Sequence, residues 1–413
     1  MKYYIIITAG IGGMGGSQMY IRNKIQWVKS KDFTSIVFYG SESKIEIADL
    51  QNINSFIFYE LNYHPCWFKS CRINEIINSM LMRIVDFRDE IIIESHSKYN
   101  ALWGEILAKH LDATHLVYLL QEKLTLTRST YDFLYYKYSK KALAGISDKT
   151  LPYIFKDKGN KIIGYSLPAL CANVYEHIPC QDFLSLPISD FTIASIGRLN
   201  KPFVLPMLDD IIFFLKKYND LTFNLVFIGG PKDGVDMANI KKKMEGLSNV
   251  SLLVTGYLFP IPIDFILKCD VFVSSAGSCW VSANCGVPTI SIDALDFKAI
   301  GVIGYTTKNT LYRDMEPQID VCDLLEEILI NKKYSKTGQI KVIDIDFNSH
   351  FKFITEIVND KLYYPVEGIR LSGIELLYKI LLRLLGFKIF SSLAISVAVG
   401  LHKIKEKFVK FKV

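Results

Sequence analysis

Two successive series of short β-branched runs, separated by longer amphipathic stretches, constrain this 413-residue chain more than any other feature. Residues 3–8, 35–39, 55–59, 91–95 and 114–120 are brief and dense in Ile, Val, Phe and Tyr, the composition of strands. Between them, 17–29, 73–85 and 100–110 carry apolar residues at helical spacing. Alternation of this kind predicts βαβ units on a parallel sheet rather than hairpins. A loop around 185–190, with Pro187 inside it, interrupts the series, which then restarts. Strands are predicted at 191–196, 223–228, 250–255, 271–274 and 289–292, with helices at 207–217 and 235–244. The expectation is an α/β chain of two doubly wound domains, 1–187 and 188–365, with a remainder at 366–413 that breaks the pattern. Such a layout serves many chemistries, so function has to be read from the residues it carries.

That remainder holds the whole net charge of +6. Residues 366–413 contain nine Lys/Arg against three acids, which leaves 39 of each sign in 1–365. A neutral body argues against nucleic acid as a partner, and a basic end argues for an anionic surface met by one end. Ile374, Leu377, Leu381 and Leu384 recur at helical spacing, with Glu375, Lys379 and Arg383 on another face. An uncharged run of thirteen residues, 389–401, precedes a Lys-rich end. As a helix it rises about 20 Å, short of the roughly 30 Å hydrocarbon core, so a single span is not predicted. Two readings stay open: an interfacial amphipathic helix with a polybasic flank, or a helix docked on the body. The opening apolar run is too short for a signal peptide and reads as a first strand. The eight cysteines form no C-x-x-C pair, so a zinc ribbon and a thioredoxin motif are excluded and free cytosolic thiols are expected.

Three segments carry chemistry. AGIGGMGGSQMY follows the first strand, and its glycines allow a sharp turn and close approach of backbone to a ligand, with a helix N-terminus behind. The G-x-G-x-x-G pattern fits it poorly, so a tight structural turn is the competing reading. IASIGRLNKP puts Arg198 and Lys201 at a strand's carboxyl edge, a planar fork and a point charge suited to a diphosphate. Exposed cations also serve simply as solvated surface. CDVFVSSAGSCWVSANCGVPTISID reads as strand, tight turn, helix and strand, with the first amides of the helix open to an anion.

Taken in order, GGMGGSQ, GRLNK, FIGGP, VTGYLFP and DVFVSSAGSCWVSANCGVPTI resemble the landmarks of family 4 glycosyltransferases and their bacterial surface-polysaccharide relatives. The likeness spans residues 1–365 and is stronger in the second half. It implies the GT-B fold, two Rossmann-like domains facing a cleft, with a nucleotide-sugar held mainly by the second domain and an acceptor by the first. Carried over, Gly13, Gly15 and Gly16 face the donor phosphates, and Arg198 and Lys201 neutralise the departing diphosphate. Gly277, Ser278 and Cys279 offer amides to it. Gly230 belongs to the nucleotide-side turn, Gly256 and Tyr257 lie near the base, and His96 stands beside the acceptor or sugar, although a histidine at a strand end is commonly structural. The resemblance further implies retention at the anomeric carbon. Neither cofactor nor metal is expected beyond the nucleoside-diphosphate sugar, since no D-x-D stands in a suitable loop. The implied partners are a glycan or lipid-linked acceptor and an anionic membrane, placing the protein peripherally at the cytoplasmic leaflet.

One departure stands out. The family carries two glutamates eight apart, the second gripping the donor ribose, and here those positions are Val273 and Val281. A non-catalytic GT-B-like subunit that scaffolds or activates another transferase is therefore the alternative reading. A nucleotide-sugar epimerase shares the layout but needs acids and histidines that do not assemble here.

Overall fold

The computed structural model of the chain describes residues 2–84, 90–121, 124–155, 162–179, 186–337, 339–341, 345–358 and 362–393. The Lys-rich end, and the uncharged run beyond 393, lie outside the described residues.

The first sheet is built from β1 (Lys2–Thr8), β2 (Phe33–Tyr39), β3 (Ser55–Ile57), β4 (Ile91–Ser95), β5 (Thr114–Leu119) and β6 (Leu143–Gly145). Its strands are all parallel in the order β3-β2-β1-β4-β5-β6. The near-continuous apolar run of β1 has its reason here: Tyr3 to Ile7 are buried, with helices covering both faces of a parallel sheet. A two-residue strand β7 (Tyr175–Glu176) leads into β8 (Phe191–Ile196), β9 (Phe223–Ile228) and β10 (Val250–Val254). Then come β11 (Ile261–Pro262), β12 (Val271–Ser274), β13 (Thr289–Ile292) and β14 (Ala299–Val302). The second sheet has the order β10-β9-β8-β12-β13-β14 and is parallel except for the β13–β14 pair. β7 pairs with β11, which ties the connecting segment to the second lobe.

The predicted strands all form. β6, β7, β11 and β14 fall outside the predicted set: they are short, and Leu-Ala-Gly of β6 carries no β-branched signal. The order of each sheet reverses once, between β1 and β4 and between β8 and β12, and the loops leaving those four strands part to open a crevice. Each of the sequence segments singled out for chemistry follows one of these strands.

Packing departs from the linear division at 187/188 and 365. Leu167 belongs to the first lobe's core, Ala172 to the second's and Val174 packs against the first again, so the chain crosses along the seam between the lobes over 167–175. It then returns early: Phe347 and Ile354, at the helix Asn348–Thr355, pack among Tyr4, Tyr20 and Val28 of the first lobe. Further on, the Tyr364 amide donates to Glu105 Oε1 at 2.8 Å. Glu105 also accepts from His115 Nδ1 (2.7 Å) and pairs with Lys137 (2.9 Å). Burial alone would raise its carboxyl, but these partners hold it down at about 2. Ser95 Oγ lies 3.0 Å from His115 Nε2, completing the connectivity of a nucleophilic triad. All three side chains are buried, and a Cβ on Gly104 would come within 2.3 Å of Ser95 Oγ, so no substrate reaches it.

The C-terminal helix Gly373–Leu385 docks on the first lobe by a mixed face, with Leu382 buried in the core, Leu381 packed against it and a carboxylate beside them. Glu375 is 1% exposed and accepts from Thr127 (2.6 Å), Ser129 and Ser372, while Arg383 donates to the carbonyls of Trp67 and Phe68. Ile374, Leu377, Ile380 and Leu384 remain exposed.

Burial pushes His64, His115 and His350 down to about 4 each, from an ordinary value of 6.5. Between those two values the unfolded chain binds more protons than the folded one, so stability falls as pH is lowered through that window. At pH 5 each histidine contributes about 2 kcal/mol less than at pH 7. Thermal denaturation at pH 7 and pH 5 should show a clear fall in Tm. An unchanged Tm would contradict the burial of these rings in neutral form.

Candidate functional site

The four switch-point loops line one cleft of about 1310 Å³ between the lobes. From the first lobe come Gly15 and Gly16 after β1 and His96 after β4; from the second come Gly197, Arg198 and Lys201 after β8, and Ser275, Gly277 and Ser278 after β12. Tyr257 lines it as well. The glycine positions have steric causes. A Cβ on Gly15 would stand 3.6 Å from Arg198 Nε across the cleft, so the bare loop and the guanidinium close on the same space. A Cβ on Gly277 would meet Cys171 Sγ at 2.9 Å and lift the start of the helix Gly277–Asn284.

Four sequence-predicted residues do not line the cleft. Gly13 has φ +72° and its amide donates to Lys44 O at 2.7 Å, a purely local turn. Gly230 packs on Leu199, and its neighbour Gly229 takes the place at the wall. Gly256 bridges to Gly229 beneath the surface. Cys279 is buried, its thiol pushed up to about 12 by desolvation, and its amide already donates to Ala276 O at 3.1 Å. The helix start therefore offers the amides of Gly277 and Ser278, which have no intrahelical carbonyl to bond.

Charge is uneven. Lys149, Arg198, Lys201, Lys308 and Lys341 line the cleft against Asp148 and Asp314. The Arg198 side chain is exposed and has no hydrogen-bond or ion-pair partner among the described residues. Five cations, one of them the unpaired Arg198 fork, and the positive end of a helix suit a polyanion. Among the described residues no group of three or more His, Cys, Asp or Glu side chains comes together as a metal cage.

His96 is held differently. It is 4% exposed, its Nε2 lies 2.8 Å from Glu94 Oε1, and its Nδ1 is buried without a partner among the described residues.

No family model and no curated protein sequence matches the chain. Solved structures do. Anabaena HepE in complex with UDP aligns at TM-score 0.56 with 13% identity, covering 87% of this chain and 96% of that one. A glycosyltransferase from Rickettsia africae aligns at 0.55 with 13% identity, covering 87% and 95%. TarM aligns at 0.53 with 9% identity, covering 88% and 96%. The fold is GT-B.

Within this GT-B frame the two positions where the sequence resemblance expects glutamates are filled by core. Val273 and Val281 are both fully buried, in the two clusters that sandwich the second sheet. The face of helix Gly277–Asn284 that meets the cleft carries Gly277, Trp280 and Asn284 instead. Counting back from Cys-Gly-Val-Pro lands one residue away from that face, which is why sequence reasoning missed Trp280. The loop 308–312 was missed too. It has no motif, but Thr310 O accepts from the Ala276 amide at 2.6 Å and so buttresses the helix start.

Replacing Arg198 with Ala should weaken pyrophosphate binding in calorimetry by about tenfold or more, the loss of a charge-assisted contact. Since the guanidinium makes no internal bond, Tm should not move. Unchanged affinity would remove Arg198 from the site.

Proposed function

We propose that the chain is a glycosyltransferase that moves a sugar from a nucleoside-diphosphate donor to a glycan or lipid-linked acceptor. One observation carries the reading: the carboxyl-end loops of two facing doubly wound sheets converge on a single cleft with a cationic excess. The GT-B fold, and neighbours whose structures hold UDP or UDP-glucose, support it. In this reading Arg198 and Lys201 face the diphosphate together with the Gly277 and Ser278 amides. Charge that develops as the nucleoside diphosphate leaves meets donors already in place, so no separate metal or cofactor is invoked. Resemblance to family 4 supports retention of anomeric configuration and a role in surface polysaccharide synthesis.

A screen of UDP-, GDP-, CMP- and dTDP-sugars by thermal shift tests it. A ligand at 100 times its dissociation constant adds about 2.7 kcal/mol, enough to identify the base. One nucleotide-sugar series should raise Tm, and sugar release or transfer should follow. No shift with any of them would overturn the proposal. The apolar filling of Val273 and Val281 favours one second reading, a donor-binding subunit without turnover, which binding without any sugar release would establish.

The exposed leucines of helix Gly373–Leu385 support the membrane partner. No described helix is long and apolar enough to cross a bilayer. Ile374, Leu377 and Leu384 are 57%, 52% and 77% exposed on a helix latched through Glu375, Leu381 and Leu382, and the chain's excess of Lys and Arg follows. We place this face on the anionic cytoplasmic leaflet, where apolar insertion and polybasic attraction combine. Leu377→Glu/Leu384→Glu should cut cosedimentation with phosphatidylglycerol vesicles severalfold without lowering Tm. Equal pelleting would show that another surface binds.

A further inference from the structure

Behind the cleft wall, polar side chains close around one buried carboxylate. Glu94 accepts from the hydroxyls of Tyr4 and Tyr20, the latter at 2.6 Å, and lies 2.8 Å from His96 Nε2. Lys24 Nζ stands 3.3 Å from Glu94 Oε2, an ion pair by distance rather than a linear hydrogen bond. Both side chains are fully buried, and the ammonium is enclosed by the rings of Tyr4, Phe347 and Phe351 at 5.1, 4.4 and 5.8 Å. Nothing in the reading of the cleft uses Glu94 or Lys24. Burying an ion pair is poor value for stability alone, which directs attention to what the pair holds in place.

It holds His96. Burial would raise the Glu94 carboxyl, but Lys24 and His96 hold it well below the usual carboxylate range, so it is ionised at neutral pH. An ionised carboxylate only accepts, and the nitrogen facing it therefore carries a proton. A neutral imidazole has a single N–H, so placing it on Nε2 leaves Nδ1 as a bare lone pair. That atom is buried, unpartnered among the described residues, and belongs to a side chain that lines the cleft. A lone pair accepts from O–H or N–H and repels phosphate oxygens, which have no proton to give.

We propose that the Glu94–Lys24 pair is a positioning device that fixes the Nε2–H tautomer of His96, presenting Nδ1 to the cleft as the acceptor for a sugar hydroxyl. The diphosphate end of the ligand is thereby kept toward Arg198 and the sugar end toward His96. The identity of the ligand rests on the function proposed above; the tautomer does not. Glu94 and Lys24 touch no ligand and act through the imidazole alone.

Imidazole nitrogen NMR of the full chain labelled at its seven histidines tests it, with His96 assigned by loss of its signals in His96→Asn. The wild type should show Nε2 protonated and Nδ1 bare. In Glu94→Gln/Lys24→Met, which removes both charges together, that tautomer should lose its dominance. Protonation of Nδ1 in the wild type, or an unaltered tautomer in the folded double variant, would overturn the proposal. If the double variant does not fold, the wild-type spectrum still decides. UDP and UDP-glucose titrations give the ligand arm. UDP affinity should be unchanged in the double variant while the added affinity from glucose drops about tenfold. A preserved glucose increment with slower transfer would assign the hydroxyl to the acceptor, and no change in either would refute the positioning role. If the wild type binds no nucleotide-sugar, the functional reading fails while the spectrum still tests the tautomer.

Discussion

A parallel sheet whose strand order reverses sends its connections to opposite faces on the two sides of the reversal, and the loops leaving those strands cannot cover the gap between them. This chain has two such gaps, after β1 and β4 and after β8 and β12, and they face each other. The backbone at both gaps carries glycines, Gly10, Gly15 and Gly16 at one and Gly197 and Gly277 at the other, where the main chain can come close to a ligand. Charge enters the wall through Arg198 and Lys201 on one side, and a histidine, His96, stands on the other.

The buried carboxylates also join elements of the fold. Glu94 joins β4 to β1 and to the helix Gly16–Lys29, through Tyr4, Tyr20 and Lys24. Glu105 ties the helix Lys98–Leu111 to β5 and to the returning segment at Tyr364. Glu375 fastens the C-terminal helix to Thr127 and Ser129. Each carboxylate connects elements distant in sequence, and each is satisfied by several donors, as a buried anion has to be. The last of them also helps to explain how a helix rich in leucine turns several of its leucines outward. Its attachment joins these polar contacts to Leu381 and Leu382, so Ile374, Leu377, Ile380 and Leu384 are left exposed.

Strand–helix alternation announced both sheets, because period and composition are local properties. GRLNKP and SSAGS were legible for the same reason, as each is a strand end carrying its own chemistry. Gly13, Gly230, Gly256 and Cys279 show the limit. Whether a glycine faces a ligand or merely turns the chain depends on what stands opposite, and Lys44, Leu199 and Gly229 are far from these residues or give no local sign. The partnership of Glu94 with Lys24, seventy residues earlier, is invisible in IIIESHSK. So is the return of Phe347 and Ile354 to the first lobe, since a linear reading assigns residues to whichever pattern they follow. Of the two readings open for the last helix, the described part of it docks on the body, with Glu375 turned inward to Thr127 and Ser129.

The central claim is that both switch points bind one ligand, with its diphosphate between the Gly15 loop, Arg198 and the start of helix Gly277–Asn284, and its sugar toward His96. A crystal structure of the protein with the nucleotide-sugar selected by binding tests this most directly. The account predicts diphosphate oxygens within hydrogen-bonding distance of Arg198 and the Gly277 amide, and a sugar hydroxyl on His96 Nδ1. A nucleotide lodged elsewhere, or one reversed so that its phosphates lie against His96, would contradict it.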